Sequence, residues 1–347
     1  MIYTIKGGER IKSFNSPNYN YLFNMDTGYF VRWGEKMCDD PQWSKFGPEI
    51  LDIEISTICS NGCKFCYKTN TDKGINMSLK TFKKIFKIFP ETLTQIAFGI
   101  GDIEANKDLW AIMGHCREND IIPNITINGK RMTDEYYDLL AKYCGAVAVS
   151  LYEYDICYNA VQELTRRQMK QINIHCLLSD ETHDKCLQVL KDVRSDHRLA
   201  KLNAVVFLSL KPKGDRNTFH CVKEKKKYDD IVNYAFDNNI AIGFDSCSAA
   251  NFNTVMKLKE NYAAIKDCIE PCESTLFSYY INAKGKGFPC SFSENIPYKG
   301  IDLTKTNNFL EDVWNGLETI SFRSKVLDNR DCNDCRMCPL YDLEVKE

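Results

Sequence analysis

Between residues 51 and 245, short runs in which apolar residues alternate with polar or small ones are followed by stretches where apolar residues recur every three or four positions. The first pattern has the period of a strand and the second that of a helix. Strands are expected at 51–57, 95–101, 124–128, 146–151, 172–178, 203–210 and 240–245. Helices are expected at 78–89, 108–119, 133–143, 157–167, 180–194 and 228–238. A repeated βα order predicts a parallel sheet. Six or seven such units give an α/β fold, a partial (β/α)6-type barrel over residues 51–250. Ahead of it, runs at 19–23 and 29–33 flank a turn at 24–28, so residues 1–50 are expected to form an N-terminal β-hairpin that caps one end of the core or the mouth of the site. Residues 251–347 read as a small Cys-rich α+β extension with a hairpin at 277–287.

The alternation assigns faces. In the first strand Asp52, Glu54 and Ser56 oppose Leu51, Ile53 and Ile55, and in the third Asn124, Thr126 and Asn128 oppose Ile125 and Ile127. The fifth sets Asn173 and His175 against Ile172 and Ile174, the seventh sets Ala241, Gly243 and Asp245 against Ile240, Ile242 and Phe244, and the second offers Gln95, Ala97, Gly99 and Gly101. The outer face of a βα barrel packs on helices and takes the apolar set. The inner face is then polar or small, which predicts a chamber for polar ligands rather than a filled core.

Composition adds little about partners, because a net charge of −2 favours no charged surface. The basic run at 223–227 reads as the solvated start of a helix, so nucleic acid is not an expected partner. The 17 cysteines change the picture more. They cluster at Cys59, Cys63 and Cys66, at Cys268, Cys272 and Cys290, and at Cys332, Cys335 and Cys338. The sequence MIYTIKGGERIKSF has no apolar signal core and no run is long enough to span a membrane. A cytoplasmic location is therefore expected, where such clusters bind metal rather than pair as disulfides. Cys38 has no neighbour of its kind in sequence and is expected to be structural.

The segment Cys59-Ser-Asn-Gly-Cys63-Lys-Phe65-Cys66 follows the first strand and offers three soft thiolate ligands. Three thiolates leave one iron of a four-iron cluster without a protein ligand. A zinc site lacking a ligand, or three unrelated cysteines, is the alternative. With Phe65 before the third cysteine, the pattern Cys-x-x-x-Cys-x-aromatic-Cys resembles the radical S-adenosylmethionine (SAM) superfamily, whose [4Fe-4S] cluster binds SAM through the open iron. The resemblance implies that an electron from the cluster cleaves SAM to methionine and a 5′-deoxyadenosyl radical, which abstracts hydrogen from a substrate. It also implies a reductant such as flavodoxin or ferredoxin.

Successive strand ends carry the resemblance further. Phe98-Gly99-Ile100-Gly101-Asp102 is similar to the family's Gly-Gly-Glu element, which binds the SAM amino group, with Ile100 and Asp102 as departures. Asn128-Gly129 matches an Asn-Gly often found at the third strand, and Ser150 stands where the family binds the SAM ribose or carboxylate. Arg166, with Arg167, is a candidate for the SAM carboxylate. Glu54, His175 and Asp245 are candidate catalytic groups facing the substrate, with Lys211 beside them. As strand-end or helix-cap residues, several of these also have purely structural readings.

The C-terminal cysteines, with Gly285 four residues before Cys290, resemble the SPASM and twitch extensions that hold auxiliary iron–sulfur clusters. Six cysteines suffice for one four-thiolate cluster, or for two with an open or non-cysteine ligand; a zinc ribbon is the alternative. Cys247 is either a further ligand or a buried thiol. Such extensions accompany enzymes that modify peptides, so the resemblance implies hydrogen abstraction from a peptide or protein by an oxidoreductase-type enzyme. The same chemistry on a small molecule or nucleotide, and a non-catalytic iron–sulfur or zinc protein, are the alternatives.

Overall fold

The computed structural model describes residues 1–294, 298–331 and 335–346. The N-terminal segment forms an antiparallel meander of four strands, β1 (Ile2–Thr4), β2 (Arg10–Phe14), β3 (Asn20–Asn24) and β4 (Phe30–Trp33). The expected hairpin is its second half. Asn24 Oδ1 accepts from the N–H groups of Asp26 and Thr27, and Gly28 takes the left-handed conformation that closes the turn. The sequence reading missed β1 and β2 because Gly7, Gly8 and a string of charges dilute their alternation.

Seven parallel strands follow in sequence order: β5 (Ile50–Glu54), β6 (Gln95–Gly99), β7 (Ile122–Ile127), β8 (Ala146–Ser150), β9 (Gln171–Leu178), β10 (Ala204–Ser209) and β11 (Ile242–Phe244). Six helices connect them: α1 (Leu79–Phe86), α2 (Leu109–Glu118), α3 (Asp134–Tyr143), α4 (Tyr154–Arg166), α5 (His183–Ser195) and α6 (Lys225–Asp237). Ser78 and Thr133 start their helices as N-caps, their side chains accepting from the N–H groups of Thr81 and Tyr136. Helix α1 stops three residues earlier than its periodicity suggests because Pro90 restrains the preceding backbone. Strand β11 starts late because Asn239, at positive φ, ends α6 and the Ile240 N–H still bonds to Ala235 O.

The faces fall as the alternation requires. Leu51, Ile53, Ile96, Phe98, Ile125, Val147, Val149, Ile172 and Ile174 are buried against the helices. Each contributes about 1.5–3 kcal/mol by leaving water, enough collectively to fix the strand register. The polar set faces inward around an open space.

The sheet does not close into a ring. Strand β12 (Ser278–Ile281), from the C-terminal extension, pairs in parallel with β5, and β13 (Lys286–Phe288) and β14 (Ile301–Asp302) follow antiparallel, so one ten-stranded sheet runs from β11 to β14. The hairpin of the extension occupies the edge against which a barrel would close. The N-terminal meander packs on this extension, with Tyr19, Tyr21 and Phe23 against Leu276, Phe277, Tyr280 and Phe288. Arg32 fastens the two, its guanidinium 3.6 Å from the Phe277 ring centre and bonded to Glu49 at 3.1 Å and Glu273 at 2.7 Å. The meander contributes nothing to the lining of the central cavity, and Cys38, expected to be structural, is exposed. No helix among the described residues is long and apolar enough to cross a membrane.

Candidate active site

The loop after β5 carries Cys59, Cys63 and Cys66, all half-buried. Gly62 adopts a left-handed conformation between the first two, and the Cys66 N–H donates to Cys63 O at 3.3 Å, so the loop curls. Burial, then the charges of Cys59 and Cys66, pushes the Cys63 thiol above its usual range, which reports how near the three lie to one another.

The loop is held from behind by the end of β6. Asp102 accepts from the Ser60 N–H at 2.8 Å and from Asn128 Nδ2 at 3.1 Å, and its own N–H donates to Ile58 O at 3.0 Å. Asn128 Nδ2 also donates to Gly101 O at 3.0 Å. At Gly101, a Cβ would sit 2.1 Å from Ile58 O and 2.5 Å from Cys59 Cβ, so only glycine allows this approach. The close approach that glycine permits here is thus to the cysteine loop, and both Asp102 oxygens are engaged there. Gly214 performs the same service from the other side, where a Cβ would lie 2.2 Å from Cys66 O.

In front of the loop lies a cavity of about 610 Å³, within the roughly 300–1,000 Å³ usual for small-molecule sites. Cys59, Cys63, Phe65 and Cys66 line it together with Gly99, Gly101, Asn128 and Ser150 at successive strand ends, and with Glu54, His175 and Asp245. Asp102 lies outside the lining. Arg166 is remote: at the outer end of α4 it pairs with Glu163 at 2.7 Å, and Arg167 pairs with Asp134, Asp138 and Glu163. These arginines complete a surface ion-pair cluster, as basic residues at a helix C-terminus commonly do.

Two carboxylates of the cavity are paired with lysines. Glu54 faces Lys68 at 3.3 Å and accepts from the Tyr280 hydroxyl at 3.1 Å; Lys68 also pairs with Glu294. Burial raises the Glu54 carboxyl above its usual range and Lys68 opposes the rise. Asp245 is paired with the deeply buried Lys211. His175, its Nδ1 3.5 Å from the Thr126 hydroxyl, is pushed down to about 4 by burial, against the pull of Asp245, and is a neutral imidazole near pH 7.

Lys68, Tyr280 and Ser291 escaped the sequence reading as site residues. The signal for Tyr280 lay in the alternation of β12, and that for Lys68 in its position two residues past Cys66; neither reveals its partner. Asn61 and Arg216 were missed as well. Both amide atoms of Asn61, inside the cysteine loop, and Arg216 Nε are buried without a hydrogen-bond partner among the described residues, and both residues line the cavity. Orphaned polar groups beside three thiols suit a ligand-bearing loop.

In the C-terminal extension the structure groups Cys272, Cys290 and Cys338 with Cys247. The Cys272 thiol is pushed to about 12 by burial and then by Cys290, with Cys338 adding; Cys247 is raised by burial and, in part, by Cys272 and Cys338. Cys268 stands apart, exposed beside Ile269 and Phe252 at a separate cavity, and Cys335 responds to burial and Asp331 rather than to another thiol. Cys332 lies outside the described residues. Among those residues no three His, Cys, Asp or Glu side chains are close enough to chelate a single ion. A cluster whose thiolates attach to different irons needs a wider spacing than that.

The model of the Radical SAM superfamily matches residues 53–169, and that of the SPASM iron–sulfur cluster-binding domain matches residues 272–339. The chain carries a radical SAM domain and a SPASM domain. These domains imply a [4Fe-4S] cluster, SAM and auxiliary iron–sulfur clusters, and the orphaned Asn61, the glycine-cradled loop and the thiol donors fit such groups. No curated protein sequence matches the chain.

Solved structures agree on the fold. SuiB of Streptococcus suis shares 12% identity over 96% of this chain and 93% of its own, with a TM-score of 0.71. SuiB bound to its precursor peptide SuiA matches with 12% identity over 93% of each chain and a TM-score of 0.69. Native anSMEcpe with bound AdoMet and the Cp18Cys peptide matches with 14% identity over 85% of this chain and 91% of its own, with a TM-score of 0.59. The radical SAM match thus covers the cysteine loop and the βα units through β8 and α4, and the SPASM match covers the hairpin that joins the sheet at β5.

Proposed function

We propose that this radical SAM enzyme abstracts hydrogen from a peptide or protein substrate. The observation that carries the reading is the shared cavity: Tyr280, Ser291 and Phe292 of the SPASM domain form one wall of the chamber into which the Cys59–Cys66 loop opens. A substrate seated there touches both domains. The precursor peptide on SuiB and the peptide on anSMEcpe support a peptide in particular.

In this reading Cys59, Cys63 and Cys66 hold the cluster, with Asn61 and Arg216 supplying hydrogen bonds beside it. Gly99, Gly101, Asn128, Ser150 and Phe65 form the SAM-facing wall. When bound, cluster and SAM together supply a carbon radical after one-electron reduction by an external reductant of the flavodoxin or ferredoxin type. The chain's own task is to hold the substrate and exclude water. Neutral His175 can accept a proton from an oxidised substrate, whereas Glu54 and Asp245 are held by Lys68 and Lys211 and serve to shape the chamber. Cys272, Cys290 and Cys338, with Cys247, are proposed to hold an auxiliary cluster. Residues 1–50 serve as a brace, 51–250 as the radical SAM barrel and 251–347 as the auxiliary unit.

The test is anaerobic reconstitution with iron and sulfide, then SAM, dithionite and candidate peptides, any short peptide encoded beside the gene first. Formation of 5′-deoxyadenosine, and transfer of deuterium into it from a labelled peptide, is the expected result. An iron-loaded protein that never cleaves SAM refutes the enzyme reading. Deuterium transfer only from a small molecule refutes the peptide.

A further inference from the structure

Among the described residues three carboxylates line the chamber, and two of them are neutralised. Glu54 has Lys68 and Tyr280; Asp245 has Lys211 and the Ser248 hydroxyl. Asp52 makes no ion pair and accepts no hydrogen bond among the described residues, yet it retains open surface and lines the same cavity. It shares the inward face of β5 with Glu54, with Ser56 two residues beyond the strand, and has Ala97 and Tyr280 as its register partners on the two flanking strands. Ala97 offers no donor. The Tyr280 hydroxyl is engaged by Glu54 and by Lys68, which donates to it at 2.6 Å.

Position separates Asp52 from the cofactor end of the chamber. It precedes Ser56 by four residues, about 13 Å along a strand, on the side away from the cysteine loop. Tyr280 and Tyr67 lie beside it, as does the Cys290 thiol. The Tyr67 and Phe292 rings lie 4.4 Å apart, and both residues line the cavity with Tyr280. A carboxylate that faces the chamber beside aromatic rings suits a ligand with an alkyl stem and a cationic head: the stem packs on the rings and the head supplies charge-assisted hydrogen bonds.

We propose that Asp52 is the subsite for a cationic side chain, ammonium or guanidinium, of the peptide substrate. The proposal rests on the peptide reading given above and deepens it. Asp52 receives the charged head while the rest of the side chain lies across the SPASM wall.

The reconstituted, SAM-loaded protein is titrated by ligand-observed NMR with N-acetyl-lysine methylamide, N-acetyl-arginine methylamide and the neutral N-acetyl-norleucine methylamide. In the wild type at least one cationic probe is expected to bind about tenfold or more tightly than the norleucine probe. In Asp52→Asn that preference collapses to about twofold or less, and in Asp52→Glu part of it survives. Circular dichroism and iron content establish that each variant is folded and loaded; should Asp52→Asn not fold, the wild-type preference and Asp52→Glu decide. Equal binding of all three probes by the wild type, or an undiminished preference in Asp52→Asn, overturns the proposal. 5′-Deoxyadenosine formed when dithionite is added to the same wild-type sample keeps the two readings apart: its formation without probe discrimination removes only the subsite, whereas its absence removes the enzyme reading.

Discussion

Replacing Gly101 by alanine tests whether the end of β6 builds the cluster loop. The added Cβ would stand 2.1 Å from Ile58 O and 2.5 Å from Cys59 Cβ, the latter about 1 Å inside the optimal carbon–carbon separation of about 3.5 Å. Neither neighbour is the free end of a flexible side chain, so the loop must move. Overpacking of this kind costs about 1–3 kcal/mol. If the loop escapes by shifting, the cost falls on the conformation that binds iron, and about 2 kcal/mol there weakens cluster affinity more than tenfold. Gly62→Ala is the control. Its Cβ meets nothing within 4 Å, but its φ is +62, so it suffers backbone strain of about 1 kcal/mol without a collision. Iron and sulfide content and the electron paramagnetic resonance signal of the reduced cluster are measured after reconstitution, beside urea unfolding. Gly101→Ala should lose most of the SAM-cluster signal and Gly62→Ala should retain most of it. A Gly101→Ala protein with wild-type iron content and unchanged unfolding midpoint would refute the reasoning.

Two further predictions follow from buried charge. Arg32→Met leaves Glu49 and Glu273 facing each other without their cation, so a loss of about 3–5 kcal/mol in chemical denaturation is expected; a loss below about 1 kcal/mol shows that the meander is not fastened there. His175 is held down at about 4 from an ordinary 6.5, so between those values the unfolded chain binds more protons than the folded one. Stability should therefore rise with pH through that window and be lost as pH falls through it, by no more than about 3 kcal/mol because cavity water softens the burial. His175→Asn should flatten that part of the profile, and an unchanged slope means that another group carries it.

The strand faces were legible because burial acts on every second residue. Leu51 and Ile53 must meet helices, so Asp52 and Glu54 are left to the chamber whatever the rest of the chain does. The cysteine loop was legible for a related reason: its three thiols lie within eight residues, and local spacing alone brings them together. Arg166 misled because a basic residue at a helix end looks the same whether it meets a cofactor or a surface Glu163. Cys268 misled because its spacing from Cys272 says nothing about which way an extended segment turns its thiols.

By itself, then, the sequence determined the βα order, the inward polar face, the thiol loop and the presence of a Cys-rich extension, all carried by short-range periodicity and spacing. Only the tertiary structure decided that β12 closes onto β5, that Asp102 and Asn128 brace the cysteine loop, and that Cys247 joins Cys272 and Cys338. It also decided which carboxylate remains free. Glu54 is matched by Tyr280, 226 residues further on, while Asp52, two residues before it on the same face, meets no donor among the described residues. Pairing over that distance depends on where strands come to lie, and no local pattern encodes it.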